Sequence, residues 1–343
     1  MGWVLSIDEI QAALDRGQEL DFSRHALEIP KLTMCERFFL LGFAIELRTN
    51  SEAILSLARE LWSREVQLFD NQPIRIDVHV LDNRDGESSE QCPPAPEIRL
   101  KVPQFYDVAD ADNFATSDIN EGWTRIVLAR ATERHRNYLA YFWLGSAPLR
   151  HIAARLATPI HAACVSFKER GMLLTGDSGA GKSSLSYACA RAGWTYTTDD
   201  GSYLVHHENS ITVTGNCHQV RFRPSAGELF PEIEGLEITP RAAGKPSIEM
   251  PTSALPWMTC APTASIDYLI FLNRRAGGLQ DLVPFRKDVA RCYLQQLLHG
   301  TSESLAAHYR SIERLLDVEV LELRYTDLNW AVQRLQSLAE DGR

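Results

Sequence analysis

Several protein classes need residues or runs that this chain lacks. Its 343 residues include seven cysteines, at 35, 92, 164, 189, 217, 260 and 292, and no Cys-x-x-Cys pair occurs among them. That scatter supplies neither a disulfide framework nor a zinc site and fits a reducing compartment. Long apolar runs are also missing. The longest, Phe38 to Ile45, falls far short of the roughly 20 residues of a membrane helix. Positive charge is in deficit, with 35 Lys and Arg against 45 Asp and Glu and a net charge of −10. Holding DNA or RNA through the overall field requires a basic face, so a nucleic-acid partner is not expected, although one nucleotide in a local pocket is. The first ten residues have no basic start and meet Asp8 and Glu9 early, unlike a secretory signal. Met1-Gly2-x-x-x-Ser6 fits the myristoylation pattern, but Ser6-x-x-Glu9 also reads as the capping box of a helix over 7–14, which is the preferred reading. The expectation is a cytoplasmic protein with no membrane partner.

A hydrophobic share of 45% with 23% charged residues suits a folded chain, and the length suggests two domains. Residues 1–150 read as a mixed α+β domain. It has a strand over Phe38–Leu47, a helix from Ser51 to Trp62, and alternating strands at Ile74–Leu81 and Ile98–Val102 separated by an acidic, Gly/Ser/Pro-rich loop. Further strands are expected at Trp123–Leu128 and Tyr138–Leu144. No chemical motif stands out in this domain.

The texture changes from residue 151. Strands are expected at Ile160–Phe167 and Met172–Thr175, followed by a glycine-rich loop, a helix from Lys182 to Ala192, and a strand over Trp194–Thr198. An irregular middle spans 205–262. Beyond it come a buried strand (Ile266–Leu272), two helices, a strand (Val318–Tyr325) and a last helix over 327–338.

The loop Gly176-Asp177-Ser178-Gly179-Ala180-Gly181-Lys182-Ser183, with Ser184 after it, matches G-x-x-x-x-G-K-[ST] in full and lies between a strand and a helix. Such a loop turns backbone N–H groups toward a β-phosphate, and the helix N-terminus adds partial positive charge. Lys182 can bridge the β- and γ-phosphates, and the Ser183 hydroxyl can ligate Mg²⁺. Asp199-Asp200 closes the next strand, which is expected to be the sheet neighbour of the loop strand. Both carboxylates would then reach the γ-phosphate, one to serve the metal and one to accept a proton. Asp-Asp-Gly is equally a turn sequence. His161, on the strand before the loop strand, either packs in the core or faces the terminal phosphates. Arg221, Arg223, Arg241 and Lys245 are candidate clamps for phosphate or an acidic substrate, or else solvated surface charges. The segment Asn273-Arg274-Arg275 lacks the acid of guanine readers, so ATP is the expected donor.

His161, the stretch 171–183, Arg191-Ala-Gly193 and Asp199-Asp200 together resemble the kinase domain of HPr kinase/phosphorylase, which shares its superfold with phosphoenolpyruvate carboxykinase. The resemblance implies an α/β P-loop kinase domain over 151–343, preceded by the α+β domain. It implies Asp199 as general base, with Asp200 supporting it or the metal, and His161 beside the transferred group. That family's Glu-Ile-Arg-Gly-Leu-Gly stretch, which serves metal binding, corresponds here to Glu232-Ile-Glu234-Gly-Leu-Glu237, leaving Glu232 as a metal candidate. His161-Ala162, Val220–Pro224, Leu229–Pro231, Gly244-Lys245 and Leu323–Leu328 are more similar to the HPr-kinase-related branch, which includes serine kinases of lasso-peptide precursors. The expected activity is therefore ATP- and Mg²⁺-dependent phosphorylation of a Ser or Thr hydroxyl in a peptide or small protein, such as a ribosomal-peptide precursor or an HPr-like protein. The alternatives are a small-molecule kinase for serine or a sugar, and a non-catalytic nucleotide sensor. HPr kinases form hexamers, so assembly of copies is also implied.

Overall fold

The structure, a computed structural model, describes residues 12, 16, 29–82, 91–101, 103–206, 210–274 and 277–342. The N-terminal myristoylation pattern, the capping box and all of the expected 7–14 helix except Ala12 lie outside the described residues, as do Arg275 and much of the acidic loop. The chain divides into two compact units. The first comprises residues 1–155 with 240–244, and the second 156–239 with 245–343.

The first unit is built on a seven-stranded sheet. Its strands are β1 (Met34–Leu40), β2 (Phe43–Thr49), β3 (Ile74–Leu81), β4 (Glu97–Lys101), β5 (Gln104–Val108), β6 (Phe114–Asp118) and β7 (Trp123–Ala129), in the order β1-β2-β3-β7-β6-β5-β4. The run expected as one strand over 38–47 is a hairpin instead. Leu41 and Gly42 adopt positive φ (53° and 83°) and fold the chain back, so that Phe38 pairs with Ile45. Helix α1 (Glu52–Trp62) starts where expected, with Ser51 accepting from the Ile54 amide as its cap. The strand expected at 138–144 is helical, with a π-helical stretch over Leu139–Gly145. Tyr138, Leu139, Trp143 and Leu144 are buried there, and Trp143 meets the Tyr138 ring edge-on. A short apolar run fits a buried helix as well as a strand, and here packing made the choice.

The second unit has helices on both faces of a mixed parallel and antiparallel sheet. Its strands include β8 (Ala157–Phe167), β9 (Arg170–Thr175), β10 (Thr195–Thr198), β11 (Gly201–Val205), β12 (Thr212–Gly215), β13 (Gln219–Phe222), β14 (Ile248–Pro251), β15 (Thr259–Cys260), β16 (Thr263–Arg274), β17 (Asp281–Pro284) and β18 (Glu319–Tyr325). Across the main sheet the pairing runs β15-β10-β8-β9-β16-β18-β17. The long strands β8 and β16 continue into a second set of pairs through β11 and β12. Helices α2 (Lys182–Arg191) and α5 (Leu328–Asp341) cover one face of the main sheet, over Val165, Leu174, Ile270 and Leu323. Helices α3 (Lys287–Gln295) and α4 (Ser302–Leu315) cover the other, over Leu173, Leu269 and Val320. Leu173 and Leu174 point to opposite cores, as the period of a strand requires. This two-sided burial accounts for the unbroken apolar runs of β9 and β16.

Two expectations need correction. The segment 205–262 is not irregular throughout: it holds β12, β13, β14 and β15, each of two to four residues, along with 3₁₀ turns. Strands that short carry too few alternations to show as a period. Also, β10 is not the neighbour of β9, because β8 lies between them and pairs antiparallel with each. Two reversals leave β10 running the same way as β9, so their C-terminal ends still meet at one sheet edge.

Among the described residues, no helix is long and apolar enough to cross a membrane. Leu174 is fully buried in the core beneath α2. We expect Leu174→Ala to destabilise the second unit by about 2–5 kcal/mol, read as a lowered urea midpoint with the slope unchanged.

Candidate functional site

Strand β9 ends at Thr175 and the chain turns into the loop at Gly176, whose φ is 148°. Gly181, at φ 100°, opens α2, and no side chain caps the helix. A Cβ at Gly181 would overlap the Tyr325 hydroxyl, which donates to the Ala180 carbonyl at 3.0 Å. Tyr325, at the end of β18, thus braces the loop from the sheet. Asp177, Ser178 and Gly179 form an exposed crest. Burial and the nearby Asp177 charge raise the pKa of Tyr293, on α3.

The first amide of the helix to find an acceptor is that of Leu185, on Gly181 O at 2.8 Å. Those of Lys182, Ser183 and Ser184 have none among the described residues. Lys182 is only 6% exposed, and its Nζ donates to Gly176 O (2.7 Å) and Asp177 O (3.3 Å), forming no ion pair among the described residues. Burial lowers its pKa, partly offset by the charges of Asp200 and Asp177. A buried ammonium satisfied by carbonyls alone, beside unpartnered amides, is an arrangement that can hold an anion.

Asp199 and Asp200 form the turn between β10 and β11. Both strands pair with β8, and β11 sets Gly201 opposite His161. That register brings His161 Nε2 to within 2.8 Å of Asp200 Oδ1, with both side chains open to solvent. His161 also adjoins the loop strand, since its carbonyl accepts from Thr175 Oγ1 at 3.2 Å. The hydrogen bond to His161 holds the Asp200 carboxyl below its usual range, against an upward push from burial. Asp199 points inward instead. Its Oδ1 accepts from the Tyr196 hydroxyl (3.2 Å), its Oδ2 from the Arg221 amide (3.1 Å), and the residue is 7% exposed. Burial pushes its carboxyl up to about 6; the Arg221 amide opposes the rise and the Asp200 charge adds to it. Of the two acids, then, the one open to an acceptor is Asp200, whereas the resemblance gave the base to Asp199.

Ser183 Oγ lies 3.5 Å from the Asp199 carbonyl. The chain contains no cluster of three or more His, Cys, Asp or Glu placed to hold a metal, among the described residues. Mg²⁺ keeps waters and takes phosphate oxygens rather than filling an all-protein cage, so the Ser183 hydroxyl could serve it without such a cluster.

The side chains of Glu232 and Arg221 are taken up by other partners. Glu232 accepts from Tyr187 (3.0 Å) and pairs with Arg191 (3.4 Å), one and two turns along α2 from Ser183. Arg221 reaches the site through its amide, while its guanidinium pairs with Glu249 at 3.0 Å. Arg223 and Lys245 are exposed. Arg241 belongs to the first unit, where its guanidinium lies 5.7 Å from the Tyr141 ring centre.

Sequence reasoning assigned no role to Tyr196, Tyr293, Tyr325 or Arg274. Tyr325 falls inside the quoted stretch 323–328, and the others carry no local signal, because they arrive from separate strands and helices.

Asp199 yields a prediction that depends only on stability. Its folded pKa, about 6, exceeds that of an unfolded Asp, so its contribution is present below the unfolded pKa and is lost as pH rises through about 6. Asp199→Asn should therefore flatten the fall in unfolding midpoint between pH 4 and 6, in a thermal series across that range. Asp200, with its lowered pKa, works in the opposite sense, and Asp200→Asn should remove stability above the unfolded pKa.

No family model matches the chain, and no curated protein matches it. Among solved structures, the Hpr(Ser) kinase/phosphatase from Coxiella burnetii matches at 14% identity, over 54% of this chain and 96% of that one, with a TM-score of 0.30. A likeness that slight carries no argument about chemistry, which rests on the residues described above.

Proposed function

We propose that the second unit is a kinase that uses ATP with Mg²⁺ to phosphorylate a hydroxyl, that of Ser or Thr in a peptide or small protein. The observation that carries this reading is the juxtaposition at one sheet edge of a buried Lys182 without an acid partner, unpartnered first-turn amides, and an open His161–Asp200 pair. The first two features bind phosphate, and the third can receive a proton. In the reaction, the amides of the loop and Lys182 would hold the β- and γ-phosphates, and the Ser183 hydroxyl would hold Mg²⁺. A metal held there would supply positive charge against that building on the phosphates. The acceptor oxygen attacks the γ-phosphorus, its proton passes to Asp200, and ADP leaves. Such a loose transfer asks more of positioning and charge than of base strength, so a carboxylate of low pKa suffices.

One observation favours Asp199 as the base, namely its pKa near 6, which is better matched to proton uptake. The two assignments separate in kinetics. Asp200→Asn should lower kcat by about 10²–10⁴ with little change in ATP affinity. If Asp199 is the base, the kcat profile instead has an acid limb near pH 6 that Asp200→Asn keeps and Asp199→Asn abolishes.

The test begins with transfer from γ-labelled ATP to a panel comprising ribosomal-peptide precursors, HPr-like proteins, free serine and sugars. Labelled Ser or Thr in a peptide supports the proposal, and a labelled small molecule moves it to a small-molecule kinase. ATP binding with no transfer to any acceptor would leave a nucleotide sensor.

A further inference from the structure

Arg274 ends β16, the strand that lies parallel between β9 and β18. Phe271 pairs with Thr175, the last residue before the loop, so Arg274 stands beyond that register, level with the loop itself. Its partner across the other edge is Tyr325, whose hydroxyl braces Ala180. The side chain lies on the α2 face of the sheet, and its Cδ comes within 3.8 Å of where a Cβ on Gly181 would stand. Gly181 carries no side chain, so the arginine stem runs beside bare loop backbone at the start of α2.

The guanidinium is exposed and has no ion pair or hydrogen bond among the described residues. Several arginines elsewhere on this unit are paired. Arg324 pairs with Glu322 at 2.6 Å, Arg170 with Asp267 at 2.7 Å, and Arg291 with Glu313 at 2.6 Å. In a chain with ten more acids than bases, a partnerless arginine beside an anion site is a placed charge. We infer that Arg274 binds a phosphate oxygen of the nucleotide, from the sheet side and opposite Lys182, through a charge-assisted hydrogen bond. This rests on the nucleotide reading of the loop and extends it to a residue outside the motif.

Titration of the full chain with Mg-ATP, inorganic tripolyphosphate and adenosine tests the assignment. Arg274→Ala should weaken ATP and tripolyphosphate alike by about tenfold, and Arg274→Lys should recover part of the loss. Adenosine binding should be the same in all three proteins. The thermal midpoint of each variant, measured alongside, should match the wild type, because the guanidinium has no partner to lose. ATP affinity unchanged in Arg274→Ala would overturn the inference. So would a loss shared equally by adenosine, which would put the guanidinium on the base. A wild-type chain that takes up tripolyphosphate but shows no difference in the variant fails this inference alone. One that takes up none of the three ligands fails the nucleotide reading itself.

Discussion

The site depends on the pairing of one long strand with three others. Of the eleven residues of strand β8, the first five pair with β11, and the rest lie between β9 and β10. His161 sits where the partner changes, with the β10–β11 turn on one side and the end of β9 on the other. The phosphate loop and the acid pair leave from different strands, and β8 fixes the distance between them through backbone hydrogen bonds. A slip of one residue in β8 would turn His161 away from Asp200 and reverse every core residue of the strand, Ala162 to Val165 included. The two cores thus enforce the register that brings His161 to Asp200.

The loop and its helix were legible in the sequence because the signal is local: glycines, lysine and serine at fixed spacing between a strand and a helix. The acid pair was legible as residues but not as geometry. Reading β10 as the neighbour of β9 reached the right sheet edge by the wrong route, since antiparallel β8 between them has no sequence signature. Nor did the sequence reveal which carboxylate turns inward. That is decided by the Tyr196 hydroxyl and the Arg221 amide, one from the same strand and one from a distant ribbon.

The errors in the first unit have a common cause. Phe38–Leu47 and Tyr138–Leu144 are apolar runs that periodicity alone does not resolve, and a local detail decides each. Leu41-Gly42 folds one run into a hairpin, and the burial of Trp143 beside Tyr138 holds the other as a helix. Glu232 shows a different limit. Its position in a family-like stretch suggested a metal ligand, but that placement depends on α2, whose Tyr187 and Arg191 take up the carboxylate.

The contacts of Lys182 bear on the cost of using it. Its ammonium is held by two carbonyls of its own loop, those of Gly176 and Asp177. On the proposed reading, a polyphosphate would exchange for those carbonyls instead of meeting a free cation. Affinity would then be a difference between two sets of contacts.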